Sequence, residues 1–399
     1  MRHTLPNATG PYHVGCTDIV TKYGEDRCLF RWYYPTEDKP SHATSPLWLG
    51  DNRYAQGFTD FLKIPRLSWL FKWTFSKALI PVVWNGKFHL PDEKRKLPVI
   101  IFSHGLGGNR LAYSGICLDL ASQGALVASI EHADQSACTT FYYVKDDSEE
   151  KNLQKWIDFR HVASGSADEQ SIRNEQVHHR ADECVKLLDH IEEINSGTFH
   201  CISSGIDMST FRDHVDLERC AIMGHSFGGA TTITAISKDK RFKVGVGLDT
   251  WMFPLNNEIY KNVNAVPFLF INTEKFQWEA NVAGMRKLDK DTFGVDVERR
   301  MLTLLGTVHS SQCDFALLVD NPLLSKIFQL KGAADAFHTN AVNNKLAFGF
   351  IGTHLGEDFG PSVDDVIKAH EDFVLVGSTI ALDEERVVKS KEKLRSGEN

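Results

Sequence analysis

Gly224-His225-Ser226-Phe227-Gly228 sets a serine between two glycines. A serine hydroxyl is a weak nucleophile unless a base stands beside it and a tight turn projects it from the protein surface. The G-x-S-x-G pattern supplies such a turn where a strand runs into a helix, because glycines let the two backbones approach. The context fits. Apolar Arg219-Cys220-Ala221-Ile222-Met223 precedes the motif, and small-residue Gly229-Ala230-Thr231-Thr232 follows it. Ser226 is therefore read as a nucleophile rather than an inert turn residue.

A base and an acid must follow it, in the order Ser, acid, His. Of 17 histidines, His309 lies just past the strand-like Met301–Leu305, in the short loop Gly306-Thr307-Val308. His104, His132 and His225 precede the serine or sit inside its motif, and His338 and His354 fall in helix-like or surface segments. The acid must fix the imidazole tautomer and stabilise the imidazolium. Asp249 ends the strand after the nucleophile helix; Glu274 ends the next one; Asp314 follows His309 and is the weaker option. Strand order does not separate Asp249 from Glu274. Two backbone amides should hold the tetrahedral oxyanion. The expected donors are Phe227, next to the nucleophile, and Leu106, in the turn His104-Gly105-Leu106-Gly107.

The elements that must position these groups are legible as a rhythm from Leu97 onward. Leu97–Phe102, Ala125–Ile130, Arg219–Met223, Lys243–Leu248, Val266–Asn272 and Met301–Leu305 are short apolar runs, separated by helical stretches at 111–123, 171–195 and 229–237. Strands buried on both faces lose polar alternation, so these runs predict a mostly parallel, doubly wound sheet flanked by helices, with chemistry at the carboxyl ends of its strands. One domain is expected over residues 1–399, with its core at about 10–350. Residues 139–170 break the rhythm and read as an insertion, either a lid or a solvated acidic loop.

The formal net charge of -8 and a sequence pI of about 6.1 argue against nucleic acid as a partner. The eight cysteines form no C-x-x-C pair, which excludes the usual zinc and dithiol motifs, and no metal or cofactor is expected. Met1-Arg2-His3-Thr4-Leu5-Pro6 carries neither an apolar signal core nor a glycine for myristoylation, so a cytoplasmic location is expected. Residues 61–83 combine Trp69, Leu70 and Trp73 with a Ser68, Lys72, Ser76 polar stripe. On pattern alone this is equally a helix in a membrane interface or one that covers the sheet. Apolar Pro322–Phe328, with Leu323, Leu324 and Ile327, offers a second candidate contact.

The ordered set Phe102-Ser103-His104-Gly105-Leu106-Gly107, Glu131-His132, Gly224-His225-Ser226-Phe227-Gly228-Gly229, Leu248-Asp249-Thr250-Trp251 and Phe270-Ile271-Asn272-Thr273-Glu274, closed by Gly306-Thr307-Val308-His309, resembles the platelet-activating factor acetylhydrolase family, in its plasma and intracellular type II branch. The resemblance spans roughly residues 10–350. It implies an α/β-hydrolase fold and a calcium-independent esterase that removes acetyl and other short or oxidised acyl groups from the sn-2 position of phospholipids. It also implies Asp249 as the acid, Leu106 and Phe227 as oxyanion donors, and a helix near residues 61–83 that docks on lipid surfaces. His132-Ala133-Asp134 and Gly107-Gly108-Asn109-Arg110 depart from the family pattern, which bears on acyl preference and not on the triad. A general carboxylesterase on the same scaffold and a non-catalytic hydrolase-fold binding protein are the competing readings.

Overall fold

The computed structural model describes residues 4–90, 92, 94–146, 151–288, 297–319, 321–327 and 330–381. Its centre is a ten-stranded sheet. The chain enters through β1 (His13–Val20) and β2 (Leu29–Thr36), then passes α1 (Asn52–Phe61), α2 (Ser68–Phe75) and the short β3 (Val83–Trp84). Next come β4 (Leu97–Ser103), α3 (Ser114–Ser122), β5 (Leu126–Glu131), the hairpin β6 (Thr139–Asp146) and β7 (Lys151–Asp158), and α4 (Glu169–Ser196). Finally β8 (Val215–His225), α5 (Phe227–Lys238), β9 (Phe242–Leu248), β10 (Phe268–Thr273), β11 (Arg299–Leu304) and the edge strand β12 (Val374–Val376) complete the sheet. The strand order is β12-β11-β10-β9-β8-β4-β5-β2-β1-β3. From β5 to β11 all neighbours are parallel, while β2 and β12 close the two flanks antiparallel.

Both faces of the parallel part are dry, which is why its strands read as unbroken apolar runs. Side chains alternate between two cores. Ile100, Phe102, Ala221, Met223, Val246 and Leu248 face α3 and the long helix Ala336–Leu355. Val99, Ile101, Cys220, Ile222, Phe268 and Phe270 face α4 and α5. This is the α/β-hydrolase architecture. All eight cysteines are free, six of them buried.

Three features differ from the sequence reading. Residues 139–170 hold an antiparallel hairpin, not a loop, and its Phe141 and Trp156 pack against Leu29 and Tyr54. The sheet continues past β11 into β12, which the sequence reading did not include. The segment 61–83 is a single 3₁₀ turn, Pro65–Leu67, followed by the eight-residue α2, rather than a longer helix. Phe71 and Phe75 of α2 turn inward against Trp48, Phe58 and Phe315, with ring centroids 5.3–6.0 Å apart. Such pairs contribute about 0.5–1.5 kcal/mol each beyond the area they bury, so α2 is clamped to α1 through its inner face.

Candidate active site

The carboxyl ends of β4, β8, β9, β10 and β11 converge on one cavity of about 1110 Å³. Ser226 leaves β8 with φ 58° and ψ -114°, a conformation that L residues avoid and that aims the side chain out of the sheet. The turn is locked by backbone bonds: Ser226 N donates to Leu248 O at 2.8 Å, and Trp251 N donates to Ser226 O at 3.0 Å. It is also locked by absent side chains. A Cβ on Gly228 would stand 2.0 Å from Ser103 O, and one on Gly224 2.3 Å from Gly228 O.

Asp249 follows β9, also at positive φ, 47°. Its carboxylate is fully buried and fully partnered. Oδ1 accepts Thr273 N at 2.7 Å; Oδ2 accepts Thr273 Oγ1 at 2.6 Å and His309 Nδ1 at 2.7 Å. A carboxylate only accepts, so Nδ1 carries a proton, and in the neutral ring the lone pair is then on Nε2. His309 and Ser226 line the same cavity. Glu274, the rival acid, points elsewhere: its Oε2 accepts Gly306 N at 2.6 Å and its other oxygen pairs with Lys275. Asp314 is buried away from the imidazole and accepts Trp48 Nε1, Ser114 N and Gly115 N at the start of α3.

Leu106 also lines the cavity, opposite the first turn of α5. Phe227 N is the first amide of that helix and has no intrahelical acceptor. Among the described residues neither Leu106 N nor Phe227 N has a backbone or side-chain acceptor. The amides on each side of Leu106 are engaged, Gly105 N with Tyr113 OH at 3.2 Å and Gly107 N with Ser136 O at 2.8 Å. Arg180 of α4 braces the turn from below. It donates to His104 O at 2.7 Å, and its guanidinium lies 4.5 Å from the Phe227 ring. Behind it Ser103, His132 and Glu183 form a buried chain with contacts of 2.9 and 2.6 Å.

His225, Asp249 and His309 offer ligand atoms within 4.8 Å of one another. That closeness is the hydrogen-bonded set just described, with His309 Nδ1–H spent on Asp249 and His225 Nε2 spent on the His309 carbonyl at 3.1 Å. It is not the array of outward lone pairs that a cation needs. Sequence reasoning missed His225, Tyr113 and Phe276, all of which touch His309 or its neighbours. His225 was in view as part of the motif, but nothing in the pattern reveals a partner more than a hundred residues away.

The cavity wall is aromatic: Phe58, Phe61, Phe71, Phe75 and Phe315, with Leu330 beyond. Lys275, Trp278 and Lys331 line it as well. Outside, α2 exposes Trp69 (67%) and Trp73 (61%), and Leu323 (67%) is equally bare. Leu70 is half-buried against the core, and Leu324, only 7% exposed, points inward. Leu324 therefore belongs to the core, in the same cluster as Leu318 and Leu330, and not to an outer contact. The side chain of Ile327 and all of Phe328 lie outside the described residues.

Comparison with known proteins agrees with this architecture. A family model described as platelet-activating factor acetylhydrolase, isoform II, matches residues 1–372. The platelet-activating factor acetylhydrolase of Gallus gallus is 39% identical over 88% of this chain and 84% of its own length. That of Bos taurus is 36% identical over 94% of this chain and 83% of its own. Among solved structures, a ferulic acid esterase from Streptomyces cinnamoneus shares the fold, with a TM-score of 0.63 at 18% identity, covering 94% of this chain and 98% of that one. With its parallel sheet, its serine elbow and a family match across nearly its whole length, the chain belongs to the platelet-activating factor acetylhydrolase family.

Proposed function

We propose that the protein is a serine esterase that cleaves the sn-2 acetyl or short acyl ester of phospholipids, with Ser226 as nucleophile, His309 as base and Asp249 as the acid that orients it. The observation that carries this reading is the Asp249–His309 hydrogen bond, 2.7 Å, beside a serine held at positive φ on the floor of an apolar cavity. Ser226 Oγ attacks the ester carbonyl and passes its proton to His309 Nε2. The carbonyl oxygen becomes an oxyanion that the Leu106 and Phe227 amides stabilise; one such donor is worth about 100- to 1,000-fold in kcat. His309 then returns the proton to the departing lysophospholipid oxygen. Water repeats the cycle on the acyl-enzyme and releases the carboxylate. Asp249 holds the proton on Nδ1 throughout, which leaves Nε2 free to accept.

The aromatic wall suits hydrocarbon. The outer face of α2 suits a lipid surface: Trp69 and Trp73 stand beside exposed Arg66 and Lys72, and Leu62 and Leu323 are exposed as well. No helix among the described residues is long and apolar enough to cross a membrane.

The test is a substrate panel in which only the sn-2 chain varies, set against simple soluble esters, with and without a calcium chelator. Preference for short sn-2 phospholipids, unaffected by the chelator, is the expected result. Equal turnover of all esters points instead to a general carboxylesterase. Undiminished turnover by Ser226→Ala removes the nucleophile assignment.

A further inference from the structure

His225 stands immediately before Ser226 inside the serine elbow, and it is buried. Its Nε2 lies 3.1 Å from the carbonyl oxygen of His309. A carbonyl can only accept, so this nitrogen bears the proton. Burial, and then the neighbouring His309, hold the His225 ring well below the ordinary histidine range, so it is neutral. A neutral imidazole with its proton on Nε2 offers a lone pair on Nδ1. There Tyr113 OH stands at 2.8 Å and must donate. The same phenolic oxygen accepts the amide of Gly105 at 3.2 Å. Every hydrogen bond in the chain thus has a fixed direction, from Gly105 N–H to Tyr113, from Tyr113 to His225, and from His225 to the His309 carbonyl.

The rings add a second restraint. The His225 centroid is 4.4 Å from that of His309 at 34°, and the Phe276 centroid is 3.7 Å from it at 18°. Two rings this close cannot share one face of an imidazole, so His309 is held between them.

We propose that His225 and Tyr113 are positioning residues: together they form a strut that ties the turn carrying Leu106 to the loop carrying His309, so that oxyanion donor and base keep a fixed separation. The proposal rests on the reading of Ser226 and His309 as nucleophile and base. The strut starts at the residue before Leu106 and ends on the backbone of His309 itself. Tyr113 and His225 line the cavity, but the hydrogen-bonding atoms of the strut are spent on protein partners. Its effect is felt in the transition state, where the oxyanion and the travelling proton must be met at once. Uniform binding of the ester does not depend on it.

The test uses the full-length enzyme with p-nitrophenyl acetate, a soluble ester, and follows kcat, KM and the thermal midpoint. Tyr113→Phe keeps the ring and removes the link. It is expected to lower kcat about tenfold, the equivalent of one lost oriented hydrogen bond, with KM changed less than about twofold. His225→Phe lowers kcat further, and His225→Gln, whose amide N–H stands where Nε2 stood, regains most of that loss. Once residue 225 is Phe, Tyr113→Phe should cost less than about twofold more, because the two act through one chain. A full kcat in Tyr113→Phe overturns the proposal. So does a loss expressed in KM, a Gln variant no better than Phe, or two losses that multiply independently. Should His225→Phe fail to fold, Tyr113→Phe and His225→Gln still decide the matter through kcat. Ser226→Ala, run beside them, separates the two levels: if it retains turnover, the nucleophile reading fails, whereas an inactive Ser226→Ala with an unimpaired Tyr113→Phe sinks only the strut.

Discussion

Glu274 Oε2 accepts the amide of Gly306 at 2.6 Å, and so anchors the loop that carries His309 without reaching the imidazole. Asp249 and Glu274 end neighbouring parallel strands, β9 and β10, yet only Asp249 contacts His309. The two carboxylates therefore separate cleanly by substitution. Asp249→Asn is expected to lower kcat about ten-thousand-fold, since an amide at this place favours the wrong imidazole tautomer. Glu274→Gln keeps an oxygen for Gly306 and should cost less than about tenfold. Steady-state kinetics on a soluble ester checks both, and a larger loss in Glu274→Gln would reverse the assignment.

The elbow glycines make a second, steric prediction. At Gly228 a methyl group would meet the Ser103 carbonyl oxygen at 2.0 Å, and at Gly224 it would meet the Gly228 oxygen at 2.3 Å. Both obstacles are backbone, so neither can swing aside as a side chain would. Gly228→Ala should lower the unfolding free energy by at least about 3 kcal/mol, the upper range for overpacking, and disturb Ser226 as well. Chemical denaturation would expose the error if the variant unfolded at the wild-type midpoint.

Much of this was legible in the residues, for a physical reason. Strands buried on both faces must be apolar throughout, so β4, β5 and β8–β11 announced themselves, and with them the sheet edge where Ser226 and His309 meet. Elements that lack that constraint were not legible. The hairpin β6–β7 carries Lys155, Asp158 and the half-exposed Leu153, and its pattern is that of a solvated loop. β12 has three residues, two of them exposed. At the site, the choice between Asp249 and Glu274 turns on where each carboxylate bends after its strand, which strand order does not encode. Leu324 was read with Leu323 as an outward pair, but successive residues on a short helix point in different directions.

Asp314 makes a pH prediction with a definite sign. Burial pushes its carboxyl up to about 7, against the opposing pull of Trp48 Nε1 and the Gly115 and Ser114 amides. A native value above the unfolded value of 3.8 means that the folded state holds the proton more tightly. The stabilisation is full below the unfolded value and is lost as pH climbs through about 7. Asp314→Asn is neutral at every pH, so its lost hydrogen bonds give a constant offset and the difference curve isolates the titration. The stability advantage of the wild type should shrink by about 1.4 kcal/mol per pH unit across that window and then level off. Urea unfolding at several pH values measures this. A flat difference would mean that the three donors keep Asp314 ionised in the native state.

The two faces of α2 lead to the last prediction. Phe71 and Phe75 wall the cavity that holds Ser226, while Trp69 and Trp73 are bare on the opposite side beside Arg66 and Lys72. Removing both tryptophans deletes apolar area from the outer face and nothing from the wall. Trp69→Ala with Trp73→Ala should therefore weaken binding to anionic vesicles at least about tenfold and leave kcat on a soluble ester unchanged. Residual binding should fall with added salt, because the exposed cations are screened. Leu324→Ala is the contrasting variant: its side chain is buried, so it should lower the thermal midpoint by creating a cavity and leave vesicle affinity intact. Vesicle sedimentation with the two variants side by side decides the point. Equal loss of binding in both would locate the contact somewhere other than α2, since the tryptophans, unlike Leu324, can meet a lipid surface without unfolding the helix that presents them.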